Sequence, residues 1–212
     1  MCAWAAWQQP ARALLSSLQG ATLPVPWPAW DSGLCTPSVL GSAPAQWCPA
    51  LFGRVLGSFL SLSPEYTFVL EDEGGPCGYA AGALCAERFL QERDSSWLPA
   101  MQRRYPRELG GVLEEALLFF HTKPDAVPLP VLRRFPSLVQ LETAPRVQDV
   151  GASCSLAVSL LSALRANGSR GVFCQVSAAD HQQLSFYSKL GFVVLPLPWP
   201  SSPGTRLLGR LL

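Results

Sequence analysis

Between Leu138 and Leu195 the chain switches repeatedly between two hydrophobic periods, and that switching leaves few folds open to it. Leu138–Thr143, Gly171–Val176 and Phe192–Leu195 are short runs rich in β-formers and read as strands. The stretches between them, about Gly151 to Ala166 and about Ala179 to Leu190, read as helices. Ala157, Leu160, Leu161 and Leu164 stand at i, i+3, i+4 and i+7, and Asn167-Gly168 follows as a C-terminal stop. Asp180, with Gln183 three residues on, is a capping-box start for the next helix. Strand, helix, strand, helix, strand requires a parallel crossover within one sheet.

Upstream, Tyr66–Leu70 and Cys77–Gly82 flank the turn chemistry of Glu73-Gly74-Gly75-Pro76, which predicts an antiparallel hairpin. The fold class is therefore α/β in the broad sense (α+β), with a mixed, mainly antiparallel twisted sheet, one parallel crossover and flanking helices. Leu51, Val55, Phe59 and Leu62 predict a helix that ends before Pro64. Residues 86–135 read as an inserted helical segment, in which Trp97, Met101 and Tyr105 recur every four residues and serve packing. Glu71, Asp72 and Glu73 read as a solvated hairpin tip.

Residues 1–47 differ in kind. They hold five tryptophans among six prolines, with Arg12 and Asp31 the only charges. Closely spaced Pro24, Pro26 and Pro28 remove backbone donors and disfavour helix, so an irregular extension is expected there, with residues 48–212 forming the domain proper. A ligand for a proline-recognising partner is the functional alternative for this stretch.

Charge and cysteine usage remove several function classes. Sixteen basic and fifteen acidic residues leave a net charge of +1, and no basic run offers a footprint for nucleic acid, so none is expected as a partner. No apolar run reaches the roughly 18 residues that span a bilayer, so no membrane partner is expected either. Seven cysteines without a C-x-x-C pair argue against a zinc framework and for buried reduced thiols. No metal site is expected, and the chain reads as intracellular, cytoplasmic or nuclear.

The chemistry centres on Pro145–Ser153, which joins a strand to a helix start. Unpaired amides at such a start, together with the helix dipole, favour an anion by about 0.3–1 kcal/mol, and Gly151 would let a pyrophosphate approach the backbone. Neither a Walker lysine nor G-x-G-x-x-G is present, which weakens nucleotide readings. A second motif, Phe186-Tyr187-Ser188-Lys189-Leu190-Gly191-Phe192, closes the last helix and opens the next strand.

Together, Q-x-x-G-x-S at 148–153 and F-Y-S-K-L-G-F at 186–192 resemble the GNAT superfamily of N-acetyltransferases. The blocks E-Y-T-F-V-L-E-D-E-G-G-P-C-G-Y-A (65–80), S-W-L-P-A-M-Q (96–102), F-P-S-L (135–138) and A-N-G-S-R-G-V-F-C-Q-V (166–176) are similar to the acetyltransferase-like domains of O-GlcNAcases. The resemblance implies a GNAT-like fold over about residues 50–212 and acetyl-CoA (coenzyme A) as cofactor. The pyrophosphate would be cradled by Gln148, Asp149, Val150, Gly151, Ala152 and Ser153. Pantetheine would lie along the backbone of Leu141, Glu142 and Thr143. It further implies Tyr187 as proton donor to the leaving thiolate, and Glu142 is the nearest carboxylate for the amine proton. Ser153 stands where the family carries Gly or Ala, and Asp149 sets a carboxylate beside the phosphate loop.

Two functions follow. One is transfer of acetyl from acetyl-CoA to the amine of an unidentified acceptor. The other is a catalytically silent pseudo-acetyltransferase that binds a partner protein. The paired aspartates of the O-GlcNAc hydrolase do not occur in this sequence, so glycoside hydrolysis is not expected of it.

Overall fold

A computed structural model describes residues 49–72, 75–104, 120–122, 126–143, 147, 150–196 and 204–212. The extension 1–47 and the hairpin tip Glu73-Gly74 lie outside these residues, as do most of the phosphate loop, Gln148 and Asp149 included.

Helix α1 (Pro49–Leu62) ends where Pro64 opens a single 3-10 turn, Pro64–Tyr66. Strands β1 (Thr67–Asp72) and β2 (Gly75–Ala83) form the antiparallel hairpin, with a bulge between Leu70 and Glu71. The helical segment follows as α2 (Ala86–Glu92), a π turn (Arg93–Trp97), α3 (Leu98–Arg104) and α4 (Leu129–Arg134). Trp97 and Phe120 meet edge to face at 5.8 Å, with Leu62 and Met101 packed against them. Next come β3 (Ser137–Thr143), α5 (Val150–Ala166), β4 (Gly171–Ser177), α6 (His181–Lys189), β5 (Val193–Val194) and β6 (Thr205–Leu211).

The six strands form one sheet in the order β1-β2-β3-β4-β6-β5, antiparallel except for β3 and β4. The mixed, mainly antiparallel sheet with a parallel crossover is therefore present as read. Strand β6 is an addition: sequence pattern assigns no element to it, yet it sits between β4 and β5.

Each face of the sheet carries its own core, because strand side chains alternate between faces. On one face Val139, Leu141, Val172, Cys174 and Val176 pack under the α5 stripe Ala157, Leu160, Leu161 and Leu164 and under Tyr187 of α6. On the other, Tyr79, Leu138 and Phe173 pack under Leu56 and Phe59 of α1, Phe89 of α2 and Val131 of α4, with Phe59 and Phe89 stacked at 4.6 Å.

Helix termini fix the crossover. Gly168 takes a φ of 91°, its amide donates to the carbonyl of Arg165, and the Ser169 amide donates to that of Leu164, a left-handed stop that turns the chain into β4. Helix α6 starts at His181 rather than near Ala179, because Asp180 accepts the Gln183 amide at 2.9 Å and so must stand outside the helix as its cap. At the start of β3 and β4 a buried polar bridge ties the strands. Ser137 Oγ lies 2.7 Å from both the Leu84 carbonyl and Ser169 Oγ, and Ser169 Oγ reaches the Gly171 carbonyl at 3.1 Å.

The cysteine expectation needs correction in part. Cys77 and Cys174 are buried and in no disulfide, but Cys85 is exposed and Cys154 half-buried. Cys85 precedes α2 in the turn that leaves the sheet, and Cys154 falls beside the buried stripe of α5 rather than on it.

Candidate functional site

Strands β3 and β4 pair at only two register positions, Ser137 with Val172 and Leu138 with Phe173. Beyond Leu138 they part. Strand β3 keeps its antiparallel partner β2 as far as Gly78 opposite Thr143, and β4 keeps β6 as far as Ser177 opposite Thr205. The sheet is thus continuous on both flanks and split down its middle. The Leu141 amide faces the split, and the alternation of an antiparallel ladder turns those of Val139 and Thr143 the same way.

Tyr187 fills part of this gap. Its hydroxyl accepts the Leu141 amide proton at 3.0 Å, and its ring stands edge to face with Phe186 at 5.9 Å and Phe192 at 5.1 Å. It is 1% exposed. Burial pushes its proton affinity well above the usual tyrosine range, and the neighbouring Cys174 thiol raises it further, so Tyr187 holds its proton at any physiological pH. Burial likewise drives the proton affinity of the Cys174 thiol up. Cys174 is therefore no thiolate nucleophile.

Glu142 lies on the opposite face of β3 from Leu141, following strand alternation, and is exposed. Tyr79, directly opposite it on β2, donates its hydroxyl to Glu142 Oε2 at 3.1 Å. Sequence pattern singles out neither Tyr79 nor Cys174. Their alternation within β2 and β4 marks them as inward-facing, but only strand register shows what they meet.

At the head of α5, which follows the end of β3, Gly151 is exposed, Ala152 half-buried and Ser153 buried. Of the residues read as a cofactor cradle, the structure brings together Leu141 and Tyr187, sets Glu142 on the far face, and places Gly151 in the first turn of a long helix. Val150 opens that helix. Among the described residues no group of His, Cys, Asp or Glu could hold a metal ion, and no helix is long and apolar enough to cross a membrane.

The fold as a whole is similar to the crystal structure of SsHAT. The TM-score is 0.62 at 27% identity over 76% of this chain and 80% of that one. No protein-family model matches. The chain has the fold of a GNAT acetyltransferase and is an N-acetyltransferase-like domain. Over 153 residues, 70% of its length, it is 42% identical to protein O-GlcNAcase of Rattus norvegicus and of Mus musculus. Within the GNAT class it is therefore an O-GlcNAcase-related domain. The match spans 17% of the length of each of these relatives.

Proposed function

We propose that the domain binds acetyl-CoA along the open edge of β3 and transfers acetyl to an amine. The observation that carries this reading is the early parting of β3 and β4, which leaves the Leu141 amide bonded to a side chain, the Tyr187 hydroxyl, in place of a strand partner. An extended ligand can add to such an edge as a strand would. The head of α5, with Gly151 exposed, supplies a second fit, since backbone donors and the helix dipole favour a phosphate there.

Acetyl-CoA would supply an activated acetyl group. In this reading the Leu141 amide turns from the Tyr187 hydroxyl to the thioester carbonyl, where a fixed donor is worth most as negative charge develops. Tyr187, kept protonated by burial, donates to the departing sulfur, and such a step contributes typically ~10²–10⁴ in rate. Glu142, held by Tyr79, takes the amine proton. Gln148 and Asp149–Ser153 complete the phosphate cradle.

The second reading is a silent module that binds a partner protein. What favours it is that Tyr187 is dry and its hydroxyl already satisfied, as a purely structural bolt would be. Isothermal titration of acetyl-CoA against the wild type and Gly151→Glu decides between them, with folding of both checked by thermal melting. Binding by the wild type and its loss in the variant are expected, since the added carboxylate both crowds and repels a pyrophosphate. Unchanged binding in Gly151→Glu puts the ligand elsewhere. No wild-type binding at millimolar ligand leaves the partner-binding module.

A further inference from the structure

Helix α6 ends in a fully bonded turn. The amides of Leu190, Gly191 and Phe192 donate to the carbonyls of Phe186, Ser188 and Tyr187 at 3.2, 2.9 and 3.0 Å, and Gly191 supplies the left-handed residue with a φ of 82°. The carbonyl of Leu190, the cap residue, is held differently: Arg210 of β6 donates to it through Nη1. A Cβ at Gly191 would lie 3.8 Å from Arg210 Nε and 3.9 Å from its Cδ, so the arginine side chain runs alongside the turn it holds. Strand alternation puts Arg210 on the α6 face of β6 with Leu208, and its backbone lies opposite Val172 in a ladder of seven pairs with β4. A cation placed there also answers the negative end of the helix dipole.

We propose that Arg210 is a positioning residue for Tyr187. By tying the end of α6 to β6, it fixes the height of the helix's last turn above the sheet, and with it the point at which the Tyr187 hydroxyl meets the Leu141 amide across the split. Tyr187 lies three residues before the tied carbonyl, and Phe192, whose ring stands 5.1 Å from that of Tyr187, follows two residues after it. Without the tie this turn can rock on its apolar contacts, which hold ring against ring but set no direction for a hydroxyl. The catalytic consequence rests on the acetyl-transfer reading above: Tyr187 donates to the departing sulfur from the place that Arg210 sets. The tie itself does not depend on that reading.

The test compares Arg210→Met, which keeps most of the apolar stem and removes the donor, with Arg210→Lys, which restores a cationic donor, and with Asp180→Ala, which loosens the same helix at its other end. Amide hydrogen exchange is followed by NMR in the ligand-free full chain, at Leu141 and at core amides of β2 and β4. Relative to those core amides, Leu141 exchange is expected to accelerate about tenfold in Arg210→Met, to stay within about threefold of wild type in Arg210→Lys and to keep the wild-type ratio in Asp180→Ala. Where acetyl transfer is measurable, Arg210→Met lowers kcat at unchanged KM for acetyl-CoA and Arg210→Lys recovers most of it. An unchanged ratio in Arg210→Met, equal acceleration in the two arginine variants, or equal acceleration in Asp180→Ala overturns the proposal and leaves Arg210 a stabilising cap. If Arg210→Met does not fold, Arg210→Gln, polar but too short to reach Leu190, takes its place with the same expectation. A protein that transfers no acetyl still gives the exchange result, so failure of the transfer reading is distinguishable from failure of this one.

Discussion

The hydroxyl of Tyr187 takes up the Leu141 amide proton, 46 residues earlier in sequence, just where β3 has lost its neighbour β4. A buried amide without a partner costs about 1–3 kcal/mol, so this one bond stands in for the ladder that the split interrupts.

Tyr187→Phe should therefore affect two properties at once. Removing the oxygen strands the Leu141 amide, so the domain should lose about 1–3 kcal/mol, read as a lower midpoint in urea. If acetyl is transferred, turnover should fall ~10²–10⁴-fold while acetyl-CoA affinity holds or improves, because the amide no longer has a competing acceptor. Steady-state kinetics and calorimetry on the same preparation separate the effects. Unaltered turnover removes the proton-donor role.

Stability should also respond to alkaline pH. Tyr187 and Cys174 bind their protons more tightly folded than unfolded, with ordinary values of 10.0 and 9.0 both raised by burial. Raised values contribute stability that is complete below the unfolded pKa and is lost as pH climbs toward the folded one. Urea midpoints should hold up to about pH 9 and then decline, and the decline above pH 10 should be shallower in Tyr187→Phe. A midpoint that did not move between pH 9 and 11 would contradict this.

Gly209 on β6 is a packing glycine. A Cβ there would come within 2.7–3.0 Å of three atoms of the Phe135 ring, which is itself buried. A ring in the core cannot yield as a flexible chain end can, so Gly209→Ala should cost ~1–3 kcal/mol. Differential scanning calorimetry reads this directly, at roughly 2–4 °C per kcal/mol for a domain of this size.

Asp180 offers a gentler perturbation. Its cap on α6 is worth ~0.5–2 kcal/mol, and Asp180→Ala should lower thermal stability by that much. Because Tyr187 sits on the last turns of the same helix, Leu141 amide exchange should stay slow unless the whole helix frays. Exchange and melting measured together check both.

What could be read in the sequence was local. The periods of β3, α5 and β4, the Asn167-Gly168 stop and the Asp180 cap all lie within a dozen residues of what they determine, and they predict the crossover that the structure contains. Strand β6 was not legible because Gly209 reads as a breaker and its pairing partner β4 lies some thirty residues away; the glycine is there to admit Phe135. Separation in sequence also hid Tyr79, 63 residues from Glu142, and the fold alone brings Cys174 of β4 to Tyr187 of α6. Each is an ordinary inward strand residue until the packing of α6 sets one near Tyr187 and strand register sets the other beside Glu142.

The serine bridge at the root of β3 and β4 makes the sheet a two-tined fork. One tine is β1-β2-β3, the other β4-β6-β5, each stitched internally by its own antiparallel ladder, and Ser137 and Ser169 sit in the handle where they join. Spreading the tines to admit a slender guest ruptures no ladder bond in either, but it must part the Tyr187 hydroxyl from the Leu141 amide and loosen the apolar packing that spans both. A guest between the tines would meet Tyr187, while the rigidity of the whole is secured at the opposite end.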